Sequence, residues 1–367
     1  MISLIFGTYY ILKNKYRHTS LVAYSSEPIT SNAKKIKNIN VLSLDGGGMR
    51  GYMQLLILQE IEKRCKKNLT ETFDYFIGTS IGGLNSVFIS EFVNVDVAIE
   101  FMEKDAAKMF TKSGAFNFLS ENMYSNVGLK KILEEKLGSK KLKDSNKKLL
   151  IMTSNDLAKP KDPKLLLTSW GSGCDLNLSD AVLSTTACPM IFPPYRVNID
   201  GTEHTLKDGT LIANDPSYFG YKEILKHLKD TFSNNSENDF KIKLLSIGTG
   251  LFSKGKKDIS VANIIDLILK LKINEAKTLI ALAFMDNSCL LSTFRSISDG
   301  ELVREDMEKK SKGSIYWRLD PDLDEMIMMD DYSKKNMLKM KNLVQKFIIA
   351  NDKLLDDICI NLLQVSI

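Results

Sequence analysis

The sequence is poor in the residues that build metal sites and disulfide frameworks. Its 367 residues include five cysteines, an odd number without a CxxC pair, and only three histidines. Zinc sites place Cys and His at short, characteristic spacings, and disulfide frameworks use paired cysteines. Neither pattern is present, so we expect reduced, mostly buried thiols and no metal ion.

Concentrated positive charge is lacking as well. The net charge is +5, with 44% hydrophobic and 26% charged residues, which are ordinary values for a globular protein. Dedicated nucleic-acid binders carry a strongly basic face or stripe. The composition therefore predicts no nucleic-acid partner.

The N-terminus has no apolar run long enough to cross a bilayer. About a dozen apolar residues precede Lys13, Lys15 and Arg17, whereas a spanning helix needs about 20. We interpret residues 1–38 as an extension and linker, which is either a peripheral membrane anchor, a weak export signal or a loosely packed segment. The expected location is cytoplasmic or peripherally membrane-associated, with secretion left open.

Apolar segments of strand length alternate with helical patterns from residue 39 onward. Strands are predicted at 41–44, 73–78, 147–156, 163–171 and 239–250. This alternation is typical of an α/β fold with a mostly parallel central sheet covered by helices. The apolar segment 261–284 is read as a buried helix pair or a membrane-facing surface, and residues 331–367 as amphipathic helix.

A serine lies in a Gly-x-Ser-x-Gly pattern. In "FIGTSIGGL", Ser80 stands between Gly78 and Gly82, after an apolar strand and before a helical segment. This context is typical of the sharp turn that presents a nucleophilic serine, and a helix N-terminus favours negative charge nearby. The pattern predicts a nucleophile; the alternative is a tight packing turn with an idle serine.

Two residues compete to act as the base. His18 lies in the extension and His227 on a lysine-flanked helix, so His204 is the one histidine suited to a triad. Asp208 is the other candidate, although a carboxyl group with a pKa near 3.9 is a useful base only when held against the serine. The residues alone leave both arrangements open.

Three consecutive glycines separate the first strand from the following helix. Gly46, Gly47 and Gly48 can point N–H groups at an oxyanion, and Arg50 adds positive charge to this turn. The rival interpretation is a phosphate loop, because residues 46–51 match GxGxxG. The phosphate loop interpretation is weaker, because the sequence has no GxxxxGK[ST] motif.

Together these motifs resemble patatin-like phospholipases. The likeness rests on "DGGGMRG" (Asp45 to Gly51), "GTSIG" (Gly78 to Gly82) and Asp208-Gly209, in that order. Segments 183–195, 244–250 and 329–340 also resemble that family, and the likeness covers roughly residues 39–350. The resemblance implies an acyl hydrolase domain over 39–350, followed by a helical tail over 351–367.

The resemblance also implies roles for individual residues. Ser80 would be the nucleophile and Asp208 the general base of a dyad, without a cofactor. The oxyanion would be bound by Gly46, Gly47 and Gly48 together with Arg50. Thr210 departs from the Ala or Gly usual after Asp-Gly, and His204 becomes a bystander.

The implied substrate is a phospholipid or another acyl lipid at a peripheral membrane surface, with a protein activator left open. Two other functions stay under consideration. One is a soluble esterase with a Ser80–His204 triad, and the other is a catalytically silent lipid- or partner-binding module on the same fold.

Overall fold

The computed structural model describes residues 37–112, 122–155, 164–189, 191–232, 240–250, 302–307, 309, 313–324 and 327–363. The strands are β1 Lys37–Leu44, β2 Tyr75–Thr79, β3 Thr111–Lys112, β4 Tyr124–Ser125, β5 Lys148–Asn155, β6 Lys164–Thr168, β7 Tyr195–Ile199, β8 Thr202–Asp208, β9 Phe240–Ile247 and β10 Ile315–Leu319. The α-helices are α1 Gly51–Cys65, α2 Leu69–Thr72, α3 Ile81–Phe92, α4 Val95–Lys104, α5 Ala106–Met109, α6 Val127–Leu137, α7 Leu178–Thr185, α8 Ser217–Thr231, α9 Lys334–Ala350 and α10 Asp352–Leu363.

The main sheet is mixed, with its parallel part in the centre. Its order is β10-β9-β1-β2-β5-β8-β7, and β6 pairs with β5. The pairs from β10 to β5 are parallel, whereas β6, β8 and β7 run antiparallel to their partners. The predicted α/β fold with a mostly parallel sheet is therefore confirmed.

Helices cover both faces of this sheet, which explains the unbroken apolar runs of its central strands. Leu42 and Leu44 of β1 pack with α1 and α3 on one face. Val41 of the same strand packs on the other face with α8, through Ile224 and Leu228. Successive residues of one strand thus belong to two separate cores, as the period of a strand requires.

The register of β5 brings two strand ends together. Thr79, the last residue of β2, pairs with Met152, and Asp208, the last residue of β8, pairs with Thr153. Because β6 occupies the other edge of β5 at these positions, β2 and β8 share one edge and meet end to end. The residues at this junction therefore lie side by side, although they are far apart in the sequence.

The strands predicted from apolar runs are all present, but the β7–β8 hairpin was not predicted. The C-terminal region contains two helices, and Leu355, Ile358 and Leu362 of α10 are buried in the core that contains α1. Of the extension predicted over residues 1–38, residues 1–36 lie outside the described residues, as does the segment 261–284, while residues 37 and 38 belong to β1. In the described part of the chain, every helix is too short or too polar to cross a membrane.

Candidate active site

Ser80 occupies a strained turn between β2 and α3. Its backbone dihedrals are φ 54° and ψ −123°, a conformation that residues with a side chain rarely adopt. Gly82 permits this turn, because an added Cβ would lie 2.1 Å from the carbonyl oxygen of Leu44. Gly78 lies within β2, between Leu44 of β1 and Ile151 of β5. The motif thus builds the sharp strand-to-helix turn predicted from it.

Asp208 lies directly beside this serine. The Ser80 hydroxyl donates a hydrogen bond of 2.7 Å to Oδ2 of Asp208, and the backbone N–H of Thr210 donates one of 2.8 Å to Oδ1. Gly209 begins the short 3-10 turn that positions this amide. Asp208 is only 1% exposed, so both partners act on a carboxylate that is shielded from water.

Burial raises the pKa of Asp208 from 3.8 to about 6. Hydrogen bonds from the backbone and side chain of Thr210 and from Ser80 oppose this shift, because they favour the charged form. The carboxylate is therefore ionised at neutral pH, yet it binds a proton more readily than an exposed aspartate. Both properties suit a general base.

The glycine turn presents two of its three amides to the site. Gly47 and Gly48 line the pocket, and in the part of the chain that the structure describes their N–H groups donate to no other residue. The N–H of Gly46 instead donates to the Asn214 carbonyl at 3.1 Å, which corrects the expectation that all three amides face one oxyanion. Gly48 needs its lack of a side chain, because φ is 56° and an added Cβ would lie 2.3 Å from the Met329 carbonyl oxygen.

Arg50 is buried beside the turn and lines the pocket. Its Nε donates to the Gly47 carbonyl at 3.4 Å, which fixes the peptide that carries the Gly48 N–H. Gly51 then begins α1. Of the two roles considered for Arg50, this contact supports shaping of the turn.

A second arginine lies behind the turn and was not predicted. Both terminal nitrogens of Arg318 donate to the Asp45 carboxylate, at 2.7 and 2.6 Å. Arg318 also contacts Asp215 at 3.3 Å and Asp320 at 2.7 Å. A lone arginine in the apolar strand "IYWRL" was the only signal in the sequence, and nothing there indicated its partners.

An apolar pocket opens above the dyad and encloses about 780 Å³, including its opening to solvent. Ser80, Asp208 and Thr210 form part of its polar wall. The facing wall is formed by apolar side chains from several separate segments: Leu84, Met109, Phe110, Leu129, Phe192 and Met329. The site therefore combines a small reactive end with a wall suited to a hydrocarbon chain.

The structure does not bring His204 to the serine. His204 precedes Asp208 by four residues on β8, which corresponds to about 13 Å of extended chain. Its Nδ1 lies 2.9 Å from the side-chain nitrogen of Asn155. The geometry thus favours the carboxylate over the histidine as the partner of Ser80.

A serine at a strained strand-to-helix turn, bonded to a buried carboxylate and next to unoccupied amides, is the arrangement of an acyl-transferring hydrolase. Residues 42–219 match the family model of the patatin-like phospholipases. This match and the relatives below show that the chain is similar to patatin-like phospholipases.

Curated relatives agree with this family. The chain is 29% identical over 254 residues to the "Probable inactive patatin-3-Kuras 1" of Solanum tuberosum, which covers 60% of this chain and 64% of that protein. It is 29% identical over 260 residues to "Patatin group M-2" of the same plant, with coverages of 61% and 64%. It is 26% identical over 237 residues to a "cGAMP-activated phospholipase" of Vibrio cholerae, with coverages of 58% and 65%. The chain thus spans less than two thirds of the length of these relatives.

Proposed function

We propose that this protein is a lipid acyl hydrolase of the phospholipase A type, which cleaves fatty-acyl esters of phospholipids through a Ser80–Asp208 dyad. One observation carries the proposal: the Ser80 hydroxyl donates to the buried Asp208 carboxylate at 2.7 Å, at the reactive end of an apolar pocket. The match of residues 42–219 to the patatin-like phospholipase model supports the lipid substrate class.

The first step forms an acyl-enzyme. Asp208 accepts the hydroxyl proton while the oxygen of Ser80 bonds to the ester carbonyl carbon, and the carbonyl electron pair moves to the oxygen. The N–H groups of Gly47 and Gly48 bind that oxyanion. When the intermediate collapses, the bond to the glycerol oxygen breaks, and this oxygen takes the proton from Asp208.

The second step releases the fatty acid. Water attacks the acyl carbon and gives a proton to Asp208, and collapse of the second oxyanion returns a proton to the Ser80 oxygen. The raised pKa of Asp208, about 6, suits both directions of transfer, because the carboxyl group must accept and release a proton in each half of the cycle.

The test is fatty-acid release from mixed phospholipid vesicles in EDTA. The unmodified protein should release fatty acid, and Ser80→Ala should release none. Ser86→Ala is the matched control, because it removes another buried serine hydroxyl from α3, one that bonds the Ile77 carbonyl away from the pocket.

Equal release by the unmodified protein and Ser80→Ala would refute the role of Ser80. Absence of release from both, with and without cyclic dinucleotides such as cGAMP, would refute the hydrolase proposal in favour of a silent lipid-binding module. The cyclic dinucleotide arm is included because a relative's name describes it as cGAMP-activated.

A further inference from the structure

Three apolar side chains that face solvent lie on segments that pack near the pocket. Among the described residues, Met123 is 41% exposed, Val127 66% and Tyr332 43%. Large apolar side chains grouped at one place on a surface mark a contact site more often than single exposed ones do. We call these three residues the rim.

Tyr332 is connected to the pocket through one aromatic ring. Its ring lies parallel to that of Phe110, with centroids 5.9 Å apart and an interplanar angle of 7°. Phe110 lines the pocket and also stacks on Phe192, another lining residue, at 5.9 Å. An apolar path therefore runs from the surface at Tyr332 to the interior of the pocket.

The other two rim residues adjoin residues that pack on or near Phe110. Met123 precedes Tyr124, whose ring contacts Phe110 edge to face at 5.2 Å. Val127 precedes Gly128 at the start of α6. An added Cβ on Gly128 would lie 2.1 Å from the Lys108 carbonyl oxygen, so this end of α6 packs against the residues just before Phe110. Two segments that are distant in the sequence, residues 123–127 and Tyr332, thus place exposed apolar side chains beside residues that pack around Phe110.

Exposed lysines accompany the rim. Lys112 ends β3, two residues after Phe110, while Lys334 and Lys335 begin α9, directly after Tyr332 and Ser333. All three are exposed, and within the described residues none of them forms an ion pair. Two carboxylates partly offset this charge: Asp330, which accepts a hydrogen bond from Tyr124 at 2.9 Å, and Asp331, which accepts one from the Ser333 N–H at 2.9 Å. Apolar side chains flanked by free cations match an anionic lipid surface.

We propose that the rim is the surface by which this protein docks on an anionic phospholipid bilayer, with the pocket mouth facing the membrane. This inference rests on the proposed function, because a phospholipid must deliver its acyl chain to Ser80. When the pocket mouth lies on the bilayer, the acyl chain of the phospholipid passes Phe110 and enters the pocket without crossing water. Tyr332 suits this position, since its ring is apolar and its hydroxyl is polar.

The test measures binding to vesicles separately from catalysis. All proteins carry Ser80→Ala, so that the vesicles stay intact, and sedimentation with phosphatidylcholine–phosphatidylglycerol vesicles (3:1) gives the bound fraction. Met123→Glu combined with Val127→Glu should weaken binding at least tenfold. Pure phosphatidylcholine vesicles should bind the parent protein less than the anionic vesicles do.

The control places the same charges elsewhere. Ile349→Glu combined with Ile360→Glu changes side chains that are 77% and 59% exposed on α9 and α10. Ile349 lies about 22 Å along α9 from Lys334, which is far from the rim. This variant should bind anionic vesicles as tightly as the parent protein. Circular dichroism and thermal melting establish that both double variants are folded.

A second readout uses the intact Ser80. For the rim variant, the ratio of vesicle hydrolysis to hydrolysis of a soluble short-chain ester should fall at least tenfold. Unchanged binding of the folded rim variant, or an equal loss in both double variants, would overturn the docking proposal. Failure of the protein with intact Ser80 and an unchanged rim to hydrolyse either substrate, with and without cGAMP, would refute the proposed function instead. The sedimentation result would still decide whether the rim binds lipid.

Discussion

Asp45 and Asp208 are both buried at the carboxyl ends of strands in one sheet, but their surroundings differ. Asp45 receives two hydrogen bonds from the Arg318 guanidinium. Asp208 accepts its hydrogen bonds from Ser80 and Thr210, and no cation acts on it among the described residues. Burial is the largest cause of a raised pKa in both cases.

Under the proposed function, this difference distinguishes a carboxylate that holds the glycine turn in place from one that transfers a proton. A guanidinium bound through two hydrogen bonds engages both oxygens of Asp45 and holds its position before the glycine turn. Without a cation, Asp208 keeps an oxygen directed at the Ser80 hydroxyl and retains its affinity for a proton. The same residue type thus serves two purposes, and substitutions can test this assignment.

The largest effect is expected from Asp208→Asn. Activity toward a soluble ester should fall about 10³-fold, because an amide cannot accept the serine proton. At pH 8 the free energy of unfolding should rise by about 1–3 kcal/mol. The pKa of about 6 in the folded state exceeds the ordinary 3.8, so ionisation of Asp208 opposes folding as pH rises through 6, and each pKa unit is worth about 1.4 kcal/mol.

Asp45→Asn is the matched comparison for that variant. Its amide oxygen can accept only one of the two Arg318 hydrogen bonds, and this loss opposes the gain from removing a buried carboxylate whose pKa is also raised. At pH 8 urea unfolding should therefore show a smaller gain in stability for Asp45→Asn than for Asp208→Asn. An equal or larger gain for Asp45→Asn, or retained activity in Asp208→Asn, would show that the contrast between the two aspartates is wrong.

The second largest effect is expected from Arg318→Gln. Removing the guanidinium leaves Asp45, Asp215 and Asp320 buried without their shared cation, which should cost about 3–5 kcal/mol of stability. Because burial already raises the pKa of Asp45, the defect should be smallest at low pH, where the carboxylates are protonated, and should grow as pH rises.

Arg318→Lys separates positioning from folding. It retains the charge but not the paired hydrogen bonds, so it should recover much of the stability while kcat on a soluble ester stays about tenfold low, with KM little changed. Full recovery of kcat would show that the glycine turn needs only a buried cation and not the geometry of Arg318.

The contrast between the two aspartates also shows what the sequence can predict. Ser80, Gly78 and Gly82 act within one turn, so their pattern predicts local structure directly. The proximity of Asp208 depends on the register of β5, which pairs Met152 with Thr79 and Thr153 with Asp208. No local pattern indicates this register, and only the family resemblance singled out Asp208 over His204.

The rest of the site arises from tertiary packing. Three aromatic residues of the site, Phe110, Phe192 and Tyr332, come from distant segments. In the sequence alone, each is indistinguishable from an ordinary core or surface residue. The same holds for Arg318, whose three partners follow different strands. For Gly46 the motif predicted too much. The motif indicated an oxyanion-binding amide at this position, but the Gly46 N–H donates to the Asn214 carbonyl.

A smaller effect is expected from Thr210→Val. The substitution keeps the shape and the backbone N–H bond to Asp208 but removes the hydroxyl, whose hydrogen bond lowers the pKa of Asp208. The pKa should therefore rise above about 6, and the acid limb of the kcat/KM profile should move to higher pH by about half a unit. Thr210→Ser restores a hydroxyl and should return the acid limb to lower pH. If the acid limb does not move in Thr210→Val, the Thr210 hydroxyl does not affect the pKa of Asp208.

The smallest effect is expected from His204→Ala, and this result decides between the two bases. His204 contacts Asn155 near the start of β8, whereas the Ser80 hydroxyl is engaged by Asp208. We expect kcat/KM on a soluble ester to change less than twofold, with a pH profile that still bends near 6, because Asp208 is intact in this variant. A loss of 10²-fold or more in a folded protein would instead assign the proton transfer to His204. It would also require β8 to rearrange during catalysis, since four residues of extended strand separate the two candidate bases.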